Sequence, residues 1–251
     1  MIDPLLLTAT RIGTFVAARP LTNATGFFFE REGRLWLVTS RHVFIDEPSK
    51  HFPDRIVLEI HADAGDLARS IDFSVPLYRD GRAVWRQGRD AGGDIDVATV
   101  EIERAALPAG TLLRAFTPAH LQRDPKGVPA GQPVLILGFP LGFHDTLHHL
   151  PVVRQAVVAS AFGMRFQGQG IFLTDGRTHR GTSGAPVVMR ATAPAVRRAS
   201  LPWKLLGVHS ARMDLATRDR QQDESLGLNM AWYADILMTL TDPAAGPLPR
   251  G

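Results

Sequence analysis

The 251 residues are 45% hydrophobic and 21% charged, enough apolar material for one large globular domain or two small ones. A formal net charge of only +3, with no run of five Lys or Arg, argues against a nucleic-acid partner. The absence of cysteine excludes a disulfide framework, a thiolate nucleophile and a cysteine-bound zinc.

The chain opens "MIDPLLLTATRIGTF", with no basic segment leading into a long apolar one, so no secretory signal is expected. No apolar stretch approaches the roughly 18 residues of a membrane span. The expectation is a cytoplasmic protein with no membrane partner. Short β-rich runs follow: "RIGTFVAA", "TGFFFER", "RLWLVTS", "RIVLEI", "IDFSVPLY" and "DVATVEI". The "REGR" between the second and third reads as a hairpin turn. Residues 104–131 are rich in Ala, Pro and Gly without a clear period and read as a connection between two halves. The second half brings "QPVLILGFP", "PVVRQAVVASAF", "GIFLTD", "APVVMR", "KLLGVHS" and "LGLNMAW", again strand candidates. The alanine-rich stretch at 190–200 reads as an exposed loop. "MAWYADILMTLT", 230–241, reads as a helix, and the last ten residues as a frayed tail. Two groups of about six strands suggest two β-barrels face to face. The expected division is 1–108, 109–230 and a C-terminal helix with tail over 231–251.

Three polar residues sit where strands begin or end. His42 follows the apolar strand in "LVTSRHVF", Asp96 opens "DVATVEI", and Ser183 lies between glycines in "THRGTSGAPVV". Each alone has an ordinary structural reading: a histidine after a strand, a turn-forming aspartate, a serine in a glycine turn. Together they fit a nucleophile, a base and an orienter. A serine hydroxyl needs a base to take its proton, and histidine titrates near neutrality. The imidazolium so formed needs a carboxylate beside it. Gly181 lets the backbone turn so that its N–H and that of Ser183 aim at one point, as a developing oxyanion requires.

These motifs resemble those of the trypsin-like (chymotrypsin-fold) serine peptidases of the bacterial, non-secreted type. "LVTSRHVF" resembles the family's strand ending in the catalytic histidine. "DIDVATVEI" resembles its Asp-aliphatic-Ala strand start and favours Asp96 over Asp94, which remains the alternative. "GTSGAPVV" resembles its nucleophile turn and "LLGVHS" the strand lining its cleft. The order His, Asp, Ser is that of chymotrypsin-like enzymes. The resemblance spans about Thr14 to Ile236. It implies an all-β fold of two six-stranded antiparallel barrels with the site between them. It further implies an endopeptidase acting on polypeptides through an acyl-enzyme, without a cofactor. Ser183 would be the nucleophile, His42 the general base and Asp96 its orienter, with Gly181 and Ser183 N–H as the oxyanion hole. Ser210 corresponds to the position whose backbone pairs with a bound peptide.

Departures sharpen the expectations. Digestive relatives place an acid immediately before the nucleophile, where it pairs with a newly cut N-terminus. Here that residue is Thr182, so activity is expected without N-terminal cleavage. Arg177 stands where trypsin has an aspartate, which disfavours Lys or Arg before the scissile bond. Thr178 with His209 resembles the pocket of glutamyl endopeptidases and picornaviral cysteine peptidases, and a hydroxyl and an imidazole can hydrogen-bond a carboxylate or carboxamide. A preference for Glu or Gln follows, against an apolar pocket in which His209 is simply packed.

"LGFPLGFHDTLHHLP" lacks the Lys-Ser/Thr of a phosphate loop. No set of acidic and histidine partners accompanies its His144, His148 and His149, so a surface loop and no metal are expected. Two rival functions use the same fold: a catalytically silent peptide-binding module, and a peptidase held off until a separate regulatory protein arrives.

Overall fold

The computed structural model describes residues 2–191, 201–212 and 226–244. The N-terminal half carries β1 (Ala9–Val16), β2 (Arg19–Arg31), β3 (Arg34–Thr39), the one-turn helix α1 (Arg41–Phe44), β4 (Arg55–His61), β5 (Ser70–Pro76), β6 (Tyr78–Arg79), β7 (Arg82–Ala83), β8 (Trp85–Asp90) and β9 (Gly93–Ile102). The C-terminal half carries β10 (Pro133–Gly138), β11 (Val152–Val158), β12 (Ile171–Asp175), β13 (Pro186–Arg190), β14 (Trp203–Arg212), β15 (Leu228–Tyr233) and α2 (Leu237–Leu240).

The C-terminal strands close a six-stranded antiparallel barrel in the order β10-β11-β12-β15-β14-β13. The N-terminal half departs from the expected closed six-stranded barrel. It is a seven-stranded sheet, β5-β4-β1-β2-β3-β9-β8, with a separate β6-β7 hairpin. The strand expected over 71–78 stops at Pro76, which has no N–H to give a ladder. The chain then turns through Asp80 and Gly81, both at positive φ, before resuming as β8. The ladder therefore stays open between β5 and β8. Val75, Leu77 and Trp85 nonetheless bury into one cluster with Phe28, Leu37 and Leu58, so the sheet curls around a single core.

Several apolar runs are nearly continuous because their strands are buried on both faces. In β2, Phe28 enters the N-terminal core while Phe27 and Phe29 enter a central cluster. In β3, Leu35 and Leu37 face the first core and Trp36 and Val38 the second. The barrel answers with the same alternation: Val187 and Met189 fill its interior and Val188 joins the central cluster. That cluster, which also holds Phe116, Leu137, Phe139, Leu205 and Trp232, glues the halves together. Alternate residues on a strand point to opposite faces, so one strand can serve both cores.

The 104–131 connection stitches the halves as it passes. Phe116 exchanges backbone bonds with Phe28 and Glu30, and Gln122 donates to the Leu205 carbonyl. The expected helix is shorter than read, since residues 230–233 belong to β15 and only 237–240 form α2. Ala231 pairs with Phe172 and His209 in the barrel ladder, which overrides the local helical pattern. The C-terminal segment packs back on the N-terminal sheet, where Arg86 donates to the Asp242 carbonyl at 2.6 Å. No helix among the described residues is long and apolar enough to cross a membrane. Most of the alanine-rich 190–200 stretch, and the tail from 245, lie outside the described residues.

Candidate active site

β3 runs apolar to Thr39, and the buried Ser40 then starts α1, whose single turn presents His42. The β9 carboxylate of Asp96 meets it twice. The His42 backbone N–H donates to Asp96 Oδ1 at 2.9 Å, and His42 Nδ1 lies 2.8 Å from Oδ2. A carboxylate can only accept, so the proton of that second contact sits on Nδ1, and in the neutral ring Nε2 carries the lone pair. Ser210 adds a third donor, its hydroxyl reaching Asp96 Oδ2 at 2.5 Å. Burial works to lower the His42 pKa, but the hydrogen bond and charge of Asp96 outweigh it and leave it raised above 6.5. The other aspartate weighed in the sequence, Asp94, is exposed and stands 3.7 Å from Arg89.

Ser183 lies in the turn before β13, between Gly181 at φ +90° and Gly184 at φ +85°. Both glycines are required sterically. A Cβ on Gly181 would come within 2.5 Å of the Phe139 carbonyl, and one on Gly184 would overlap Thr25 and Thr39. The turn is tied down by carbonyls. Leu141 N–H donates to Arg180 O at 2.6 Å, Thr25 Oγ1 to Gly181 O at 2.7 Å, and Ala185 N–H to Thr182 O at 3.0 Å. In a trans peptide the N–H points opposite the C=O, so the Gly181 and Ser183 amides face away from these anchors. Among the described residues, neither amide donates a hydrogen bond.

One oxygen joins the two segments. The His209 carbonyl accepts from Gly184 N–H at 2.8 Å and from Ser40 Oγ at 3.2 Å. This places the residue after Ser183 and the residue two before His42 on a shared acceptor. No hydrogen bond links Ser183 Oγ to His42 Nε2 among the described residues, which is common where catalytic contacts tighten only on substrate binding.

On the expected substrate side, Thr178 and His209 are both buried. Burial, reinforced by the nearby His42, pushes the His209 pKa down to about 4, so its ring is neutral at pH 7. The Thr178 hydroxyl sits 2.5 Å from Asn229 Oδ1, and Asn229 in turn donates to Thr174 O and Gly176 O. The His179 pKa is lowered by burial and then by the charges of Arg154, Arg177 and Arg212.

Sequence reading missed Thr25, whose hydroxyl also accepts from Phe139 N–H at 3.0 Å while its amide holds the Ser183 carbonyl at 3.0 Å. Nothing in "TNATGFF" marks it. It also missed Asn229, and it missed that Glu59 comes 2.9 Å from His149 and 3.6 Å from His144. The acidic partner of His144 and His149 comes from outside their loop, on β4. His148 is the exception, pairing with Asp145 at 2.8 Å.

With this geometry in hand, comparison places the chain among known proteins. A family model described as "Trypsin-like peptidase domain" matches residues 24–193, more than half of the chain. No curated protein matches at a significant level. Among solved structures the chain is similar to the HtrA-type protease AlgW with tripeptide, at 15% identity and a TM-score of 0.55, over 93% of this chain and 58% of that one. It is also similar to the serine endoprotease from Yersinia pestis, at 15% identity and a TM-score of 0.51, over 93% of this chain and 61% of that one. These likenesses concern the fold, and the chain spans less than two thirds of the length of either.

Proposed function

The chain belongs to the trypsin-like peptidase domain family, and we propose that it is a serine endopeptidase using Ser183, His42 and Asp96. The observation that carries this reading is the double contact of Asp96 on His42, which fixes both the position of the ring and its tautomer. His42 Nε2 takes the proton of the Ser183 hydroxyl as Oγ attacks the peptide carbonyl. The new oxyanion is met by the Gly181 and Ser183 amides, held in place before the reaction starts. The intermediate collapses when His42 gives its proton to the leaving amine. Water, deprotonated by the same ring, then hydrolyses the acyl-enzyme. Ser210 and the His42 N–H hold the carboxylate in register throughout.

The preferred residue before the scissile bond is Glu or Gln. The neutral, buried His209 supports this, since its ring can donate to a carboxylate or carboxamide, whereas the Thr178 hydroxyl proton is given to Asn229 Oδ1. The test is cleavage of a random peptide mixture by wild type and Ser183→Ala. Hydrolysis after acidic or amide residues, lost in the variant, is expected. Cleavage dominated by Lys, Arg or bulky apolar residues would reject the pocket assignment. Hydrolysis undiminished in Ser183→Ala would reject the mechanism. A second reading keeps the fold and has a separate regulatory protein complete the site. That version predicts a silent pure protein that reacts slowly with a fluorophosphonate.

A further inference from the structure

We propose that Glu59, His144 and His149 form a binding site for a divalent transition-metal ion of the zinc class, joining β4 to the loop between β10 and β11. One ligating atom from each of the three lies within 4.8 Å of the others. The side chains are 11%, 10% and 18% exposed, so they form a half-closed pocket and not a solvated surface cluster.

The spacing of the ligand atoms makes the case. His144 Nδ1 lies 2.7 Å from the Gly142 carbonyl. A carbonyl can only accept, so Nδ1 holds the proton and, in the neutral ring, Nε2 presents a lone pair. That lone pair faces Glu59 Oε2 at 3.6 Å. His149 Nδ1 stands 2.9 Å from the other carboxylate oxygen, a hydrogen bond whose proton a bound metal ion would displace. With metal–ligand bonds of about 2.0–2.1 Å at tetrahedral angles, ligand atoms sit roughly 3.4 Å apart, and the two observed separations bracket that spacing.

The supporting contacts are those that orient metal ligands. Gly142 fixes the His144 tautomer. Arg11 Nε donates to Glu59 Oε2 at 3.1 Å and sets the carboxylate plane. His61 Nε2 meets the His148 carbonyl at 2.7 Å, anchoring the residue before His149. His149 adopts φ +54°, uncommon for a residue with a side chain, in the turn that carries its ring to β4. Two imidazoles and one carboxylate, with no thiolate, suit Zn²⁺ over Ca²⁺ or Mg²⁺ and leave the fourth position for water. The same loop supplies Leu141, whose N–H holds the Arg180 carbonyl, so an ion here would brace the turn that carries Ser183.

The test uses the full chain, stripped with a chelator and titrated with zinc chloride by calorimetry. Cobalt chloride, followed by its visible absorption, reports the coordination. One Zn²⁺ per chain, bound tighter than about 10 μM, is expected, with Ca²⁺ and Mg²⁺ failing to compete. Four-coordinate Co²⁺ bands are expected, and Zn²⁺ should raise the unfolding midpoint. His144→Ala and His149→Ala should each weaken binding on the order of a hundredfold, while His148→Ala leaves it unchanged. Glu59→Gln, close in shape, guards against loss of fold and should also lose the Co²⁺ bands. Absence of stoichiometric binding, or equal binding by the folded His144→Ala and His149→Ala variants, would overturn the assignment. These readouts do not depend on peptidase activity.

Discussion

Thr25, on the N-terminal sheet, donates its hydroxyl proton to the carbonyl of Gly181 in the C-terminal half at 2.7 Å. The Thr25 hydroxyl oxygen also accepts from Phe139 N–H, and Thr25 N–H holds the Ser183 carbonyl. One buried threonine thus sets the turn that presents the proposed nucleophile. Thr25→Val keeps the shape but leaves Gly181 O and Phe139 N–H unpaired. It should cost about 1–3 kcal/mol of stability, read by denaturant unfolding. If the turn relaxes and one oxyanion donor is lost, turnover of a reporter peptide should fall on the order of a hundredfold or more.

Asp96 should be the most sensitive residue after Ser183 and His42. Asp96→Asn keeps the volume but lets the ring take the wrong tautomer, and a drop on the order of 10⁴ in kcat is expected. Ser210→Ala removes only one donor from the carboxylate and should cost roughly ten- to a hundredfold, the worth of one hydrogen bond to a charged group. Steady-state kinetics on one substrate ranks the two. A larger effect for Ser210→Ala would show that Asp96 is not the orienting carboxylate.

The pH profile follows from His42. A general base must be neutral, so activity should rise with pH through the His42 pKa and fall away below it. Asp96 holds that pKa above 6.5, so the acid limb of kcat/KM should lie on the alkaline side of 6.5. In Asp96→Asn the charge is gone while burial remains, and the residual activity should show its limb at lower pH. An unmoved limb would mean that the profile reports another group.

Gly184→Ala tests the turn itself. The new methyl would meet the Thr25 carbonyl and the Thr39 side chain at positive φ. Destabilisation of roughly 2–4 kcal/mol is expected from left-handed strain plus overpacking, measured by thermal unfolding. A neutral effect would mean that the turn is free to rearrange.

What could be read from the sequence, and what could not, divides by distance along the chain. The six barrel strands β10 to β15 each fall on a β-rich run of the sequence. β8 escaped because in "WRQGRD" only Trp85 is buried, which leaves no period to detect. The overlong helix arose because "NMAWYADIL" suits either period, and only pairing with Phe172 decides it. His42, Asp96 and Ser183 could be singled out as candidates because each sits in a local motif, and the structure brings His42 and Asp96 together. Thr25, Asn229 and Glu59 could not be, since their partners Gly181, Thr178 and His149 lie 156, 51 and 90 residues away. The closed N-terminal barrel was expected by resemblance, and Pro76 with the β6-β7 hairpin explains why its ladder stays open.

The account rests on the reactivity of one hydroxyl. Treatment of the full chain with a fluorophosphonate, followed by peptide mass mapping, tests it most directly. The prediction is a single adduct on Ser183, absent in Ser183→Ala and slowed by orders of magnitude in His42→Ala. An unmodified Ser183, or labelling that persists in both variants, would contradict it.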